Sequence, residues 1–475
     1  MAAPFRLSRA LALLPLALSA ILPAAAAPRS GSPQTALDRY VEKPDPAYSY
    51  HLVRTTKVPG ATQYLLSLVS QEWRTSAELD RTKWEHWLTI VQPDEVRTST
   101  GPLLIAGGST GSSPPGGTDP FLVQLAVETH SVFAELRMVP NEPVTFKDET
   151  KSRNEDGIIA YTWDRFLKTG DETWPLRLPM TKSAIRAMDT VTAFCGELAQ
   201  GHTKVEKFVV AGASKRGWTT WTTAAADDRV VAIMPLVIDV LNVSPTMEHH
   251  YRAYGFWAPA VGDYTALRLM ERRDDPRYKE LLQIEDPYSY RRRLTMPKLL
   301  INSAGDQFFL PDSSQFYWDG LKGEKHLRYI PNTDHGLRGT ERAETLAAFY
   351  AGILSGRPRP RYTWKLEKDG SIRVETKDAP TQVLLWQATN PKARDFRLES
   401  IGPAYTSTPL TEVKKGVYVA RVPKPAQGWT ALFVEMTFPS GGTFPYKLTS
   451  GVRVVPDTLP FPPPPTAGKP APEAK

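Results

Sequence analysis

The chain has 475 residues, 41% of them apolar and 23% charged, which is ordinary globular composition and long enough for two domains. Its net charge of +7 is not gathered into a Lys/Arg-rich block with interleaved aromatics, which argues against a nucleic-acid partner; weak attraction to acidic surfaces is all the charge supports. The single cysteine, Cys195, excludes an internal disulfide and any cysteine-based metal site, and its place in an apolar helical stretch predicts a small buried hydrophobe.

In chain order, Arg6 and Arg9 give a positive start, residues 11–22 form an apolar run broken by Pro15 and Ser19, and Ala24, Ala25, Ala26 and Ala27 follow. This is the pattern of a secretory signal peptide over residues 1–26. Cleavage is placed after Ala26, because a cut after Ala27 would leave Pro28 first. The expectation is a secreted or periplasmic protein. No later stretch approaches roughly 18 uninterrupted apolar residues, so the mature chain is expected to be soluble, with no integral membrane segment.

From about residue 85 to 355 short apolar runs alternate with helical patterns, which predicts a mostly parallel sheet flanked by helices. Strands are expected at 87–91, 103–106, 131–138, 208–211, 230–238, 298–301 and 327–330. Asp119 is placed as the cap of a helix with Pro120 at its first position. A helix is expected over 181–198, with Ile185, Met188, Val191 and Thr192 on one side, and a last one over 340–354, ending before Gly356 and Pro358. Between about 240 and 290 the rhythm breaks into an aromatic-rich stretch (Tyr251, Tyr254, Phe256, Trp257, Tyr264). It reads either as a cap over the sheet's carboxyl edge or as a plain helical excursion. The α/β domain is assigned to 27–357. After the linker Arg357-Pro358-Arg359-Pro360, short β runs predict a small β-sandwich domain over 358–458, and 459–475 reads as a Pro-rich disordered tail.

The strongest local signal is Phe208-Val209-Val210-Ala211-Gly212-Ala213-Ser214-Lys215-Arg216-Gly217, an apolar strand meeting a small-residue turn that leads into a helix. A nucleophile elbow needs this context, because the sharp strand-to-helix turn projects the serine Oγ above the sheet. Arg216 stands where the usual second glycine would, and the glycine comes one residue later. Serine requires a base, and in this arrangement the order is Ser, acid, His. His326 opens an expected strand and His249 and His250 fall in the cap stretch, so His335, in Pro331-Asn332-Thr333-Asp334-His335-Gly336, is the candidate base. The adjacency of His249 and His250 points their side chains apart, against a paired metal site. Asp306, directly after the strand at 298–301, is the favoured acid; Asp239 competes, and Asp312 reads as a helix cap. The backbone N–H of Lys215 and one from Ala106-Gly107-Gly108-Ser109, with Gly108 as the candidate, would receive an oxyanion. With neither a Walker lysine nor a G-x-G-x-x-G spacing, no cofactor is expected, and no metal.

The sequence resembles the PhoPQ-activated pathogenicity-related protein family over nearly all of the mature chain. The resemblance is carried by Ser70-Gln71-Glu72-Trp73-Arg74, Trp84-Glu85-His86-Trp87, Ala160-Tyr161-Thr162-Trp163, Leu178-Pro179-Met180-Thr181-Lys182, residues 212–218, Asp286-Pro287-Tyr288 and residues 305–309. It implies an exported protein of the α/β-hydrolase fold, associated by regulation with virulence and resistance to cationic peptides. The family name records regulation rather than a reaction. The elbow alone is also similar to that of glucuronoyl esterases, whose glycine likewise sits three places after the serine. The reading is therefore a serine hydrolase forming an acyl-enzyme, in the first place on esters. One alternative is a peptidase similar to dipeptidyl-peptidases, for which Glu155 and Asp156 offer acids for a substrate amino terminus, although Arg153-Asn154-Glu155-Asp156 reads more simply as a solvated loop. The other is a non-catalytic binding protein on the same scaffold. Substrate identity, oligomeric state and the role of the β region stay open at this level.

Overall fold

The computed structural model describes residues 34–198 and 203–466. The expected signal segment at 1–26 lies outside the described residues.

A short helix, α1 (Ala36–Glu42), is capped by Thr35 and precedes a long hairpin of β1 (Ser49–Val58) and β2 (Ala61–Glu72). The hairpin turns at Gly60, whose φ of +73° suits glycine. Then follow β3 (Lys83–Pro93), β4 (Thr100–Ile105), α2 (Pro120–Thr129), β5 (Phe133–Leu136), α3 (Glu155–Thr169) and α4 (Arg177–Glu197). Asp119 caps α2 as expected, its carboxylate accepting from the Phe121 N–H. The next elements are β6 (Lys207–Ala213), α5 (Lys215–Ala226), β7 (Val230–Leu236), α6 (Val243–Tyr254), α7 (Gly262–Ala266), α8 (Pro276–Glu285), β8 (Lys298–Ser303), β9 (Lys325–Ile330) and α9 (Arg342–Ser355).

These strands form one sheet in the order β1-β2-β3-β5-β4-β6-β7-β8-β9. From β5 to β9 every pairing is parallel, while β1, β2 and β3 extend it with antiparallel pairings. The central strand β6 is buried along its whole middle, as a run of Phe208, Val209 and Val210 covered on both faces requires. Helix α5 is rich in threonine, a poor helix former. Packing holds it, with Trp221 fully buried, and the buried hydroxyls of Thr219, Thr220 and Thr223 are satisfied by donating back to carbonyls one turn earlier, at 2.8–2.9 Å. Cys195 is buried on α4, and burial pushes its thiol up to about 12.

The C-terminal region is antiparallel β structure. It comprises β10 (Tyr362–Leu366), β11 (Ile372–Thr376), β12 (Gln382–Asn390), β13 (Thr406–Pro409), β14 (Val417–Ala420), β15 (Trp429–Phe438), β16 (Tyr446–Thr449) and β17 (Arg453–Val455). One sheet runs β10-β11-β14 and the other β13-β12-β15-β16, with β17 also on β15. Ile372 and Val374 of the first sheet and Leu385, Leu432 and Val434 of the second share a core, which continues through Phe349 and Tyr350 of α9 to Val209, Leu299 and Ile301 under the large sheet. The segment that reads as a linker is itself pinned, Arg359 gripping both oxygens of Glu324.

Residues from 459 onward read as a disordered tail, but the first of them lie against the helical insertion. Leu459 packs with Ala253, Tyr254, Ala258 and Leu310, and the Phe461 N–H donates to the Arg252 carbonyl at 3.1 Å. Arg273 takes the carbonyls of Pro464 and Pro465. Gly255 makes room for this path, since a Cβ there would lie 2.8 Å from the Phe461 ring. Prolines predict no local structure, yet their carbonyls remain free to accept from an arginine.

Candidate active site

The β6–α5 turn carries Ser214 with φ +57° and ψ −127°, a strained conformation for a residue with a side chain. Its N–H donates to the Leu236 carbonyl at 2.8 Å. The turn closes only with glycines beside it. A Cβ at Gly212 would meet the Arg216 carbonyl at 2.6 Å, and one at Gly217 the Leu236 carbonyl at 2.8 Å. Arg216, which replaces the usual glycine, leaves the turn sideways and is buried. It donates to the Val139 carbonyl and grips both oxygens of Glu155 at 2.7 and 2.8 Å. Gly107 lets it pass, because a Cβ there would come within 2.6 Å of Nη2. In the same loop Gly108 adopts φ +130°, a backbone shape that disfavours any side chain.

Asp306 and His335 follow β8 and β9, so with Ser214 after β6 all three emerge at one edge of neighbouring parallel strands. Asp306 Oδ2 lies 2.8 Å from His335 Nδ1, and its Oδ1 accepts from the Phe308 N–H at 2.7 Å. With Nδ1 as donor, Nε2 is left as an acceptor. That nitrogen is buried and has no partner among the described residues, so Ser214 Oγ is not hydrogen-bonded to it in this conformation. Phe308 joins the two sides. Its ring centroid lies 4.5 Å from the imidazole, and it lines the cavity that Ser214 also lines.

Asp239, the competing acid, is buried elsewhere. It accepts from the hydroxyls of Tyr317 and of Tyr329, the latter at 2.6 Å, and burial outweighs these bonds to push its carboxyl up to about 8. Asp312 stands at the N-cap of a 3-10 turn, Ser313–Phe316, as its place after Pro311 suggests, but its side chain makes no capping bond. Its carboxylate is buried between Arg394 Nη2 at 2.6 Å and His249 Nε2 at 3.0 Å. Burial would raise its pKa, but the Arg394 and His249 charges override that and hold it well below the usual carboxylate range. His250 turns the other way and accepts from the Ala258 N–H at 3.1 Å. Among the described residues no group of three or more His, Cys, Asp or Glu side chains is placed to hold a metal ion.

Glu155 and Asp156 do not lie in a solvated loop. They open α3, where Lys215 Nζ lies 2.7 Å from Glu155 and 3.1 Å from Asp156, and Tyr264 donates to Asp156 at 3.0 Å. Burial raises the Glu155 carboxyl, but Arg216 and Lys215 overrule it and the net shift is downward; Glu142, buried beside Glu155, is pushed up. Composition alone could not reveal this, since the partners are some sixty residues apart.

The insertion between β7 and β8 covers the serine. Val243 and Met247 of α6, Val261, Tyr264 of α7, Met270 of the 3-10 turn Leu269–Arg272, and Tyr278 of α8 line the cavity with Ser214 and Lys215. From the other side the β region holds the loops of the acid and the histidine. The Leu398 N–H donates to the Gly305 carbonyl at 2.9 Å, and Tyr405 and Asn332 exchange two hydrogen bonds of 2.9 Å each.

A mostly parallel sheet with a strained serine turn, then an aspartate and a histidine at successive strand ends, and a helical insertion above them, is the α/β-hydrolase fold. Within it, the chain belongs to the PhoPQ-activated pathogenicity-related protein family, whose sequence model matches residues 37–397. It is 37% identical over 456 residues to autocrine proliferation repressor protein A of Dictyostelium discoideum, covering 90% of this chain and 92% of that protein. Among solved structures it is similar to an acetyl xylan esterase from Paenibacillus sp. R4, at 15% identity and a TM-score of 0.48 over 69% of this chain and 96% of that one. A glucuronoyl esterase from Solibacter usitatus aligns at 12% identity and a TM-score of 0.39, over 66% and 87% of the two chains. Among the described residues no helix is long and apolar enough to cross a membrane.

Proposed function

We propose that the protein is an exported serine hydrolase that cleaves esters through an acyl-enzyme. The observation that carries this reading is the 2.8 Å contact of Asp306 with His335 Nδ1 at the sheet edge where Ser214 sits in its strained turn. His335 Nε2 takes the Ser214 proton as Oγ attacks the ester carbonyl, and the N–H groups of Lys215 and Gly108 receive the oxyanion. The intermediate collapses as the alkoxide leaves with the proton from His335. Water, deprotonated by the same nitrogen, then releases the acid and frees Ser214. Residues 1–26 act as the export signal, 27–357 as the hydrolase domain with the insertion at about 240–290 as its cap, and 358–458 as a companion β domain.

Ester chemistry is favoured over peptide cleavage by the pairing of Glu155 and Asp156. Both are already engaged by Lys215, Arg216 and Tyr264, which leaves neither free to hold a substrate amino terminus. The test is labelling of the purified protein with a fluorophosphonate probe, beside the Ser214→Ala variant. Labelling of the wild type that vanishes in the variant is expected. A folded wild type that takes up no probe favours the non-catalytic scaffold.

A further inference from the structure

The cavity beside Ser214 is lined mainly by apolar groups, among them Ile159, Trp218, Val240, Met247 and Phe309, yet Arg177 is built into its wall. Arg177 is only 1% exposed. Its Nη1 donates to the Lys215 carbonyl at 2.6 Å, its Nε lies 3.4 Å from Glu285, and the guanidinium carbon lies 4.7 Å from the centroid of the Trp218 ring. Nη2, also buried, has no acceptor among the described residues. A guanidinium is always charged and planar, so this donor cannot be silenced by deprotonation or turned away independently of the other two. Left alone it is a desolvated donor without a partner, and folded proteins satisfy such a donor with a protein group, an ordered water or a ligand oxygen.

Two further features narrow the ligand. The charges around the cavity balance, Arg177 against Glu285, and Lys215 with Arg216 against Glu155 and Asp156, so an added anion would meet no surplus positive charge. The cavity is also small, about 50 Å³, which is room for about four hydroxyl- or methyl-sized groups.

We propose that this cavity receives the acyl group of the ester and that Arg177 selects a short, uncharged acyl chain bearing an oxygen acceptor, a hydroxyacyl or oxoacyl group, by donating Nη2–H to that oxygen. The inference rests on Ser214 being the nucleophile. A site built to hydrogen-bond a substrate oxygen discriminates sharply against the isostere that lacks it, whereas a purely apolar cavity does not. Arg177 is thereby a specificity residue, one helix start away from the elbow it also braces.

The experiment compares the p-nitrophenyl esters of 3-hydroxybutanoic, 3-methylbutanoic and succinic acids, each rate divided by that ester's hydrolysis by hydroxide. The first two acyl groups are isosteric and differ by hydroxyl against methyl. The wild type is expected to favour 3-hydroxybutanoyl over 3-methylbutanoyl by about tenfold or more in kcat/KM, the range of a hydrogen bond to a charged donor. Arg177→Met should bring the ratio to about one or below, and Arg177→Lys should retain part of it. Because the readout is a ratio within each protein, a general loss of activity in the variants does not mimic the effect. A wild-type ratio near one, or one unchanged in Arg177→Met, overturns the proposal. Preference for the succinyl ester over both overturns the uncharged class. Hydrolysis of none of the three while Ser214 still labels with fluorophosphonate overturns the proposal alone. Absence of labelling as well overturns the nucleophile assignment and this inference with it.

Discussion

Replacing Asp239 with asparagine separates two roles that a strand-end carboxyl can have in this fold. Asp239 is fully enclosed and burial, the main cause, pushes its carboxyl up to about 8 from the ordinary 3.8. Between those values the folded protein keeps a proton that the unfolded chain has released, so stability falls as pH rises through that window. The slope is about 1.4 kcal/mol per pH unit, or about 4 kcal/mol between roughly pH 5 and 8. For roughly 430 folded residues the unfolding entropy is about 0.9 kcal/mol per kelvin, so this corresponds to about 4 °C in Tm. Asparagine cannot ionise and can still accept from one of Tyr317 and Tyr329. The Tm of Asp239→Asn should therefore fall by about 4 °C less than that of the wild type over the same range, measured by calorimetry in matched buffers. Parallel pH profiles for the two proteins would falsify the account of a protonated Asp239. Ester hydrolysis should survive in Asp239→Asn, whereas Asp306→Asn, which leaves His335 without its carboxylate, should lose about 10⁴-fold in kcat. The opposite pattern would make Asp239 the triad acid.

Arg216→Met removes one of the two cations on Glu155, a half-buried carboxylate that keeps Lys215, and leaves Glu142 buried beside it. A loss of about 1–3 kcal/mol is expected in denaturant unfolding, less than for a fully buried pair because solvent and Lys215 still reach Glu155, and no measurable loss would show that the ion pair does not hold the elbow. Gly255→Val places a branched side chain at φ +78° and against the Phe461 ring. It should release the C-terminal segment, seen as faster proteolysis after Leu459, and lower stability by about 1–3 kcal/mol. Unchanged protection of that segment would count against the docked path.

Much of the candidate site was legible because its signals are local. The elbow is a strand, a turn of small residues and a helix in immediate succession, and Asp306 and His335 each follow a run of buried apolar residues. What escaped the sequence depends on distant partners. The hairpin β1–β2 hides because β1 is an exposed edge strand whose polar and apolar residues do not sort cleanly onto two faces. Helix α3 hides because its first residues are charged. Glu155 and Asp156 look solvated until Lys215 and Arg216 are brought to them by the sheet. Asp312 shows the same limit: aspartate after proline suits a cap, and only the approach of Arg394 from the β region turns it into a buried ion pair. The Pro-rich end has no propensity for regular structure, and its path is set by Arg273 and Gly255 instead.

The hydrogen bonds from Leu398 and Tyr405 to the loops of Asp306 and His335 also bear on the order in which the molecule is made. Ser214, Asp306 and His335 all leave the ribosome before residues 394–405 do. A nascent chain halted between them carries all three side chains but lacks the contacts that fix the spacing of two. On the proposed chemistry, reactivity would then switch on late, once the C-terminal strands have closed behind the site.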